Sequence, residues 1–173
     1  WYINSIGTSV IITFIVLLTG MMCAYALSQM QFPGRKALYM IVLASFMVPA
    51  QALVVPQFVL MNDLDLINRW GGIILPQLVV PVVIIVYKQF FDNVPKDFRE
   101  AAAMDNASEW RILTRIYMPM NWGVTTALAI VTFIWSWNAF LWPFLAVTQT
   151  EMMKQDAVGG IQVDVQSQRN KFG

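Results

Sequence analysis

An all-α, polytopic transmembrane bundle is predicted by three features of the sequence. Hydrophobic residues make up 58% of the chain and charged residues 12%, about half the usual soluble share, so the fold is suited to lipid and not to water. The charges cluster between long runs that carry none, and proline, glycine or short polar stretches mark the changeovers. One segment, Val94 to Pro119, stands apart as long, charged and helix-favouring.

The first span is expected at 6–27, inside a charge-free run from Trp1 to Met30. About twenty residues at about 1.5 Å each cross a hydrocarbon core of about 30 Å, and this run has enough. Pro33-Gly34 then makes a turn, followed by Arg35-Lys36. The second span, 38–61, contains Pro49 and Pro56, which should kink it. The connection 62–70 holds Asp63, Asp65 and Arg69, read as a solvated loop. The third span is placed at 73–91, with Pro76 and Pro81 inside it, and the fourth at 124–147 in a charge-free run from Ile116 to Thr150. A polar tail, 149–173, completes a single domain over 1–173. The chain opens on Trp1, with no basic flank or small-residue cleavage site, and so reads as an internal fragment and not as one led by a signal peptide.

Basic residues give the orientation. The loops at 29–36 and 88–118 hold two and five Lys or Arg, against one at 62–70, which places the first two in the cytoplasm. With the third span counted to Tyr87, before Lys88 and the residues that continue it, none of the four spans contains Asp, Glu, Lys or Arg. Such a residue costs about 2.5–3.5 kcal/mol at a helix centre, and carriers coupled to protons or sodium commonly keep one for that job. Energy for any transport is therefore expected from outside the spans, yet the chain has no GxxxxGK[ST] loop to cradle ATP phosphates. There is no His, and Cys23 is the only Cys, so no disulfide, metal site or bound cofactor is expected. A net charge of +1 gives no ground for a nucleic-acid partner.

The charged segment reads as helix, tight turn, helix. Pro95 suits a first turn, Asp97 sits near the positive end of the helix dipole, and Glu100 to Met104 are strong helix formers. That gives a helix of about 15 Å at about 1.5 Å per residue. Asn106 is the commonest substitute for Gly at the left-handed residue that closes a helix. Ser108 can cap a second helix, with Trp110, Leu113, Ile116 and Tyr117 on one face until Pro119 interrupts it.

Glu100-Ala101-Ala102, three residues, Asn106, nine residues, Ile116, two residues and Pro119 resembles the EAA loop of bacterial ABC importer permeases. Asn106 stands where that family has Gly, and Met118 where it has Leu. The first keeps the capacity for positive φ and the second keeps apolar bulk. Further landmarks are similar to the carbohydrate-uptake permeases: Asn4-Ser5, Ala24-Tyr25-Ala26-Leu27, Phe32-Pro33-Gly34-Arg35, Val48-Pro49, Trp137-Asn138 and Trp142-Pro143. The likeness is greatest to the second permease subunit of maltose- and glycerol-phosphate-type systems, and it implies one helix missing at each end.

What the resemblance implies is an ABC importer permease (MetI-like) fold in the bacterial inner membrane, forming half of a pathway for a sugar or related solute. It is a transport subunit and not an enzyme. Its partners would be a cytoplasmic ATP-binding subunit, a second permease subunit, an extracytoplasmic solute-binding protein and membrane lipid. The helix around Glu100 to Asp105 would dock in a groove of the ATPase, with Asn106 turning the chain back. Glu100 would be an ionic contact there, and Ala101 and Ala102 would matter by being small. Trp137 and Asn138 fit a translocation pathway, and the tryptophans fit an interfacial aromatic belt equally well. Alternatives are a permease for a non-sugar solute, an ATP-independent carrier or channel subunit, or a membrane scaffold.

Overall fold

The computed structural model describes residues 2–67, 69–139 and 141–146, and among these all regular structure is helical. The expected tail, 149–173, lies outside the described residues.

The chain begins with its longest helix, α1 (Tyr2–Gln29). A turn at Phe32–Arg35 follows, in which Gly34 takes φ 86 and ψ −2, the left-handed third position that a side chain would strain. The expected second span, 38–61, is not one kinked helix. It is two, α2 (Arg35–Phe46) and α3 (Ala50–Asp63), bent by 102°. Pro49 explains the break, because it removes a backbone donor and drives Val48 out of the helical region, so the chain restarts with Pro49 extended at ψ 131. Pro56 stays inside α3. Asp65, expected in a solvated loop, is exposed in the turn after α3 and closes that helix at φ 54, with Leu66 N–H donating to the Met61 carbonyl at 2.9 Å.

The expected third span also divides. Residues Trp70–Ile74 form α4, extended by a 3-10 turn at Leu75–Gln77, and α5 (Pro81–Asp92) follows at 44°. Pro81 heads α5, where its missing N–H would be unpaired in any case. After the short helices α6 (Lys96–Met104), α7 (Glu109–Ile112) and α8 (Met118–Met120) comes α9 (Trp122–Asn138). The expected fourth span, 124–147, is thus α9 and α10 (Leu141–Ala146), parted at an extended Ala139. Only α1, over Ser5–Gln29, is by itself long and apolar enough to cross a membrane among the described residues. Three bent pairs reach that measure jointly: α2 with α3, the α4 stretch with α5, and Glu109–Met120 with α9.

Packing radiates from α1, which lies against α5 and α9. Thr19 Oγ1 reaches the Leu78 carbonyl (3.0 Å) and Gln29 Nε2 reaches the Phe91 carbonyl (3.0 Å), so α1 and α5 run parallel and end together. The main core there is built on Val16, Leu27, Tyr87, Phe91, Ile112 and Tyr117. A second, smaller core joins α3, α4 and α10 through Met61, Ile73 and Trp142, whose indole N–H donates to the Gly72 carbonyl at 3.0 Å.

Two glycines let backbones approach. A Cβ on Gly20 would stand 2.7 Å from Val83 Cγ1, and one on Gly72 would stand 2.3 Å from the Leu66 carbonyl oxygen. The first clash is with one methyl of a buried, β-branched side chain, which is relieved by a small shift between α1 and α5, and the second is with backbone, which gives less. Thermal unfolding of the full-length protein in detergent should therefore rank three variants. Gly7→Ala, with nothing within 4 Å, is neutral; Gly20→Ala costs about 1 kcal/mol and Gly72→Ala about 3 kcal/mol.

Candidate functional site

The charged segment leaves the α1–α5 end of the bundle with α6 on the outside and returns through Ile112, Leu113 and Tyr117, which enter the main core. Ser28 Oγ donates to Asp92 Oδ1 (2.6 Å), and Asp92 Oδ2 pairs with Lys88 Nζ (2.6 Å), fixing the point from which the segment departs. Lys88 also lies 4.5 Å from the Tyr39 ring centroid, which ties α2 to the same end. The basic residues Arg35, Lys36, Lys88, Lys96 and Arg99 therefore collect at one end of the molecule.

Pro95 stands just before α6 and not within it, at φ −56 and ψ 132, and Asp97 falls in the first turn as its charge favours. At the other end Asn106 has φ 55. Its N–H donates to the Ala103 carbonyl (3.0 Å), and Ala107 N–H donates to the Ala102 carbonyl (3.0 Å). This paired closure is the Schellman arrangement, and Ala102 and Ala107 both turn toward the main core. Ser108 then caps α7 by accepting from Arg111 N–H at 3.4 Å. The helix widens over Leu113–Tyr117, where Met118 N–H reaches back five residues to the Leu113 carbonyl. Widening here relieves the clash that Pro119 would otherwise make with the turn before it. Pro119 therefore does not end the helix; the chain turns two residues later, at Asn121, whose Nδ2 donates to the Tyr117 carbonyl at 2.9 Å, and the helices on either side stand at 84°.

The predicted docking residues separate into two faces. Glu100, Ala101, Asp105 and Asn106 are exposed, and Glu100 forms no ion pair among the described residues. Ala102 is half-buried against the core, so its small size serves the body of the protein. Ile116 is likewise half-buried on the core, while Pro119 is exposed. Trp137 and Asn138 lie at the far end of α9, about 24 Å along the helix from its start. Trp137 stacks on Phe133 with centroids 6.0 Å apart, and Asn138 is exposed with its Nδ2 on the Ile134 carbonyl at 2.8 Å.

Trp110, expected on one face with Leu113, Ile116 and Tyr117, is exposed while Leu113 and Tyr117 are buried, and beside it sequence reasoning did not single out the exposed Phe98 and Met104, the latter 83% exposed on a helix that has no buried residue. Sequence reasoning also missed Glu109. That carboxylate takes Arg99 Nη2 on Oε1 and the Tyr25 hydroxyl on Oε2, each at 2.5 Å. Burial pushes the Glu109 carboxyl up, but the bonds from Arg99 and Tyr25 outweigh it and hold the group below the usual carboxylate range.

Residues 5–166 match the family described as the binding-protein-dependent transport system inner membrane component. The chain belongs to that family. Among curated members, the arabinooligosaccharides transport system permease protein AraQ of Halalkalibacterium halodurans is 34% identical over 88% of this chain and 54% of its own length. The diacetylchitobiose uptake system permease protein NgcG of Streptomyces coelicolor is 34% identical over 83% of this chain and 48% of its own. The chain thus spans about half the length of the curated relatives it matches. A crystal structure of a bacterial ABC transporter involved in the import of the acidic polysaccharide alginate superposes with a TM-score of 0.77 over 96% of this chain and 62% of that one, at 23% identity. This inner membrane component accordingly has the all-α importer-permease fold that its sequence landmarks resemble, and its curated relatives include permeases named for oligosaccharides and for sn-glycerol-3-phosphate.

Two outcomes check the local geometry. Asn106→Val should destabilise the α6 closure by about 1–2 kcal/mol, while Asn106→Gly should not, read as faster amide hydrogen exchange over 96–107 in the first variant only. Because the folded Glu109 carboxyl titrates below its unfolded value, its contribution is present above the ordinary carboxylate range and is lost as pH falls through the folded value. Exchange in α6 relative to the α1–α5 core, corrected for the intrinsic rate, should therefore rise on acidification below about pH 4 and stay flat from pH 6 to 8.

Proposed function

We propose that the chain is the transmembrane permease subunit of an ATP-binding-cassette importer. It forms half of the translocation pathway for a sugar or related solute and couples through α6 to a separate cytoplasmic ATPase. The observation that carries this reading is the presentation of α6. A short helix with exposed Phe98, Glu100, Ala101 and Met104, and with exposed Trp110 just beyond it, stands at the outside of the bundle with its C-terminal backbone closed at Asn106. A charge for register beside an apolar patch is what a docking helix offers a groove.

The surroundings support the same reading. The basic residues collected at this end favour the cytoplasmic side. The family description names dependence on a binding protein, which supports an extracytoplasmic solute-binding partner. Relatives named for arabinooligosaccharides and diacetylchitobiose support a carbohydrate as solute. A second permease subunit would complete the pathway, and the many apolar side chains exposed on α2 and α3 are surface for lipid or that subunit to cover. Trp137 and exposed Asn138 are candidate pathway groups, an aromatic face and an amide suiting a sugar ring and its hydroxyls.

The test is a pull-down in mild detergent of the full-length protein, expressed with its neighbouring genes. Glu100→Lys and Ala101→Trp change the outward face and leave the inward Ala102 alone. An ATPase subunit is expected to co-purify with wild type and to fall about tenfold or more in each variant, a loss of about 1.4 kcal/mol or more. Full retention in both variants, or no ATPase with wild type, overturns the reading and reopens an ATP-independent carrier.

A further inference from the structure

The α6 helix is held in an unusual way. It has no buried residue, and no helix among those described packs extensively on it. Beyond the half-buried Ala102 and the backbone turn at Asn106, its orientation rests on one side chain, Arg99, and that side chain is committed to Glu109. Glu109 opens α7 on the far side of the turn, so the ion pair staples α6 to α7 across ten residues of sequence. The second oxygen of the same carboxylate accepts from Tyr25, 84 residues away on α1.

Tyr25 is itself immobilised. It is 3% exposed, and its ring meets Tyr117 edge-on at 5.1 Å and Phe91 at 6.4 Å. The hydroxyl is therefore presented from a fixed point on the longest helix to a carboxylate that also holds the least-packed one. Exposed ion pairs are weak, about 0.2–1 kcal/mol, because solvent screens them and long side chains must be ordered. This pair differs in that one carboxylate oxygen is held by a rigid buried donor, so the geometry that Arg99 reads is already fixed.

We propose that Tyr25, Glu109 and Arg99 form the joint that makes α6 and α1 move as one rigid body, and that Glu109 and Tyr25 are positioning residues for energy coupling. This rests on the docking reading above: the outward face of α6 receives the push of the ATPase, and the joint hands it to α1. Without the joint, α6 pivots about Asn106 and the push is absorbed as rotation of a loosely held helix.

The test uses the full complex in lipid nanodiscs, with spin labels at Phe14 on α1 and Lys96 at the start of α6, both exposed and neither among the docking residues named above. Distances are compared without nucleotide and with MgATP trapped by vanadate. In the wild-type background the Phe14–Lys96 distribution should stay narrow and unshifted. In Glu109→Gln and in Tyr25→Phe the ATPase should still co-purify, but trapping should broaden the distribution or shift it by about 2 Å or more, the scale of helix shifts in switching proteins. A narrow, unshifted distribution in both single variants overturns the joint, and so does a wild-type distribution that itself shifts. If the ATPase fails to co-purify with wild type, the docking reading falls, and the joint falls with it.

Discussion

The edge-to-face contacts among Tyr25, Phe91 and Tyr117 hold three separate parts of the chain to one point. Tyr25 comes from the end of α1, Phe91 from the end of α5 and Tyr117 from the widened turn before Pro119, with centroids 5.1 to 6.4 Å apart. Such pairs contribute about 0.5–1.5 kcal/mol each beyond their burial. Their larger effect is geometric: they fix where α1 and α5 terminate together, and so where the charged segment leaves the bundle. The hydrogen bonds of Gln29 and Ser28 to Phe91 and Asp92 secure the same end.

How legible all this was depended on the range of the interaction. Local chemistry could be read directly. Asn106 was expected at positive φ, Ser108 as a cap and Pro33-Gly34 as a turn, because each answer lies within four residues of the question. Prolines were harder. Pro49 was expected to kink a span and instead divides it, while Pro56, seven residues on, is accommodated inside a helix. The difference is in what precedes them, since Val48 gives up its helical conformation and Val55 does not, and nothing in the residue types announces that.

Contacts across the sequence were not legible. Ala102 was expected to face a partner because the motif groups it with Ala101, yet a step of one residue turns a helix side chain by about 100°, and here that step runs from solvent to core. Glu109 looked like an ordinary first-turn carboxylate, and its second bond goes to a tyrosine 84 residues away. Gly20 and Gly72 resembled any glycine in an apolar run until the neighbouring Val83 and Leu66 were in place. In each case the residue type was compatible with several surroundings, and tertiary packing chose among them.

That α6 buries none of its side chains separates two demands usually made on the same residues. Most helices cannot change their surface without disturbing a core, and so they drift slowly. Here the inward constraints fall on Arg99, Ala102 and the turn at Asn106, while Glu100, Ala101, Ala103 and Met104 are exposed and can change without disturbing the bundle. On the docking reading proposed above, a transporter lineage can exchange one motor subunit for another, or share a single motor among several permeases, by substitutions that leave the bundle untouched.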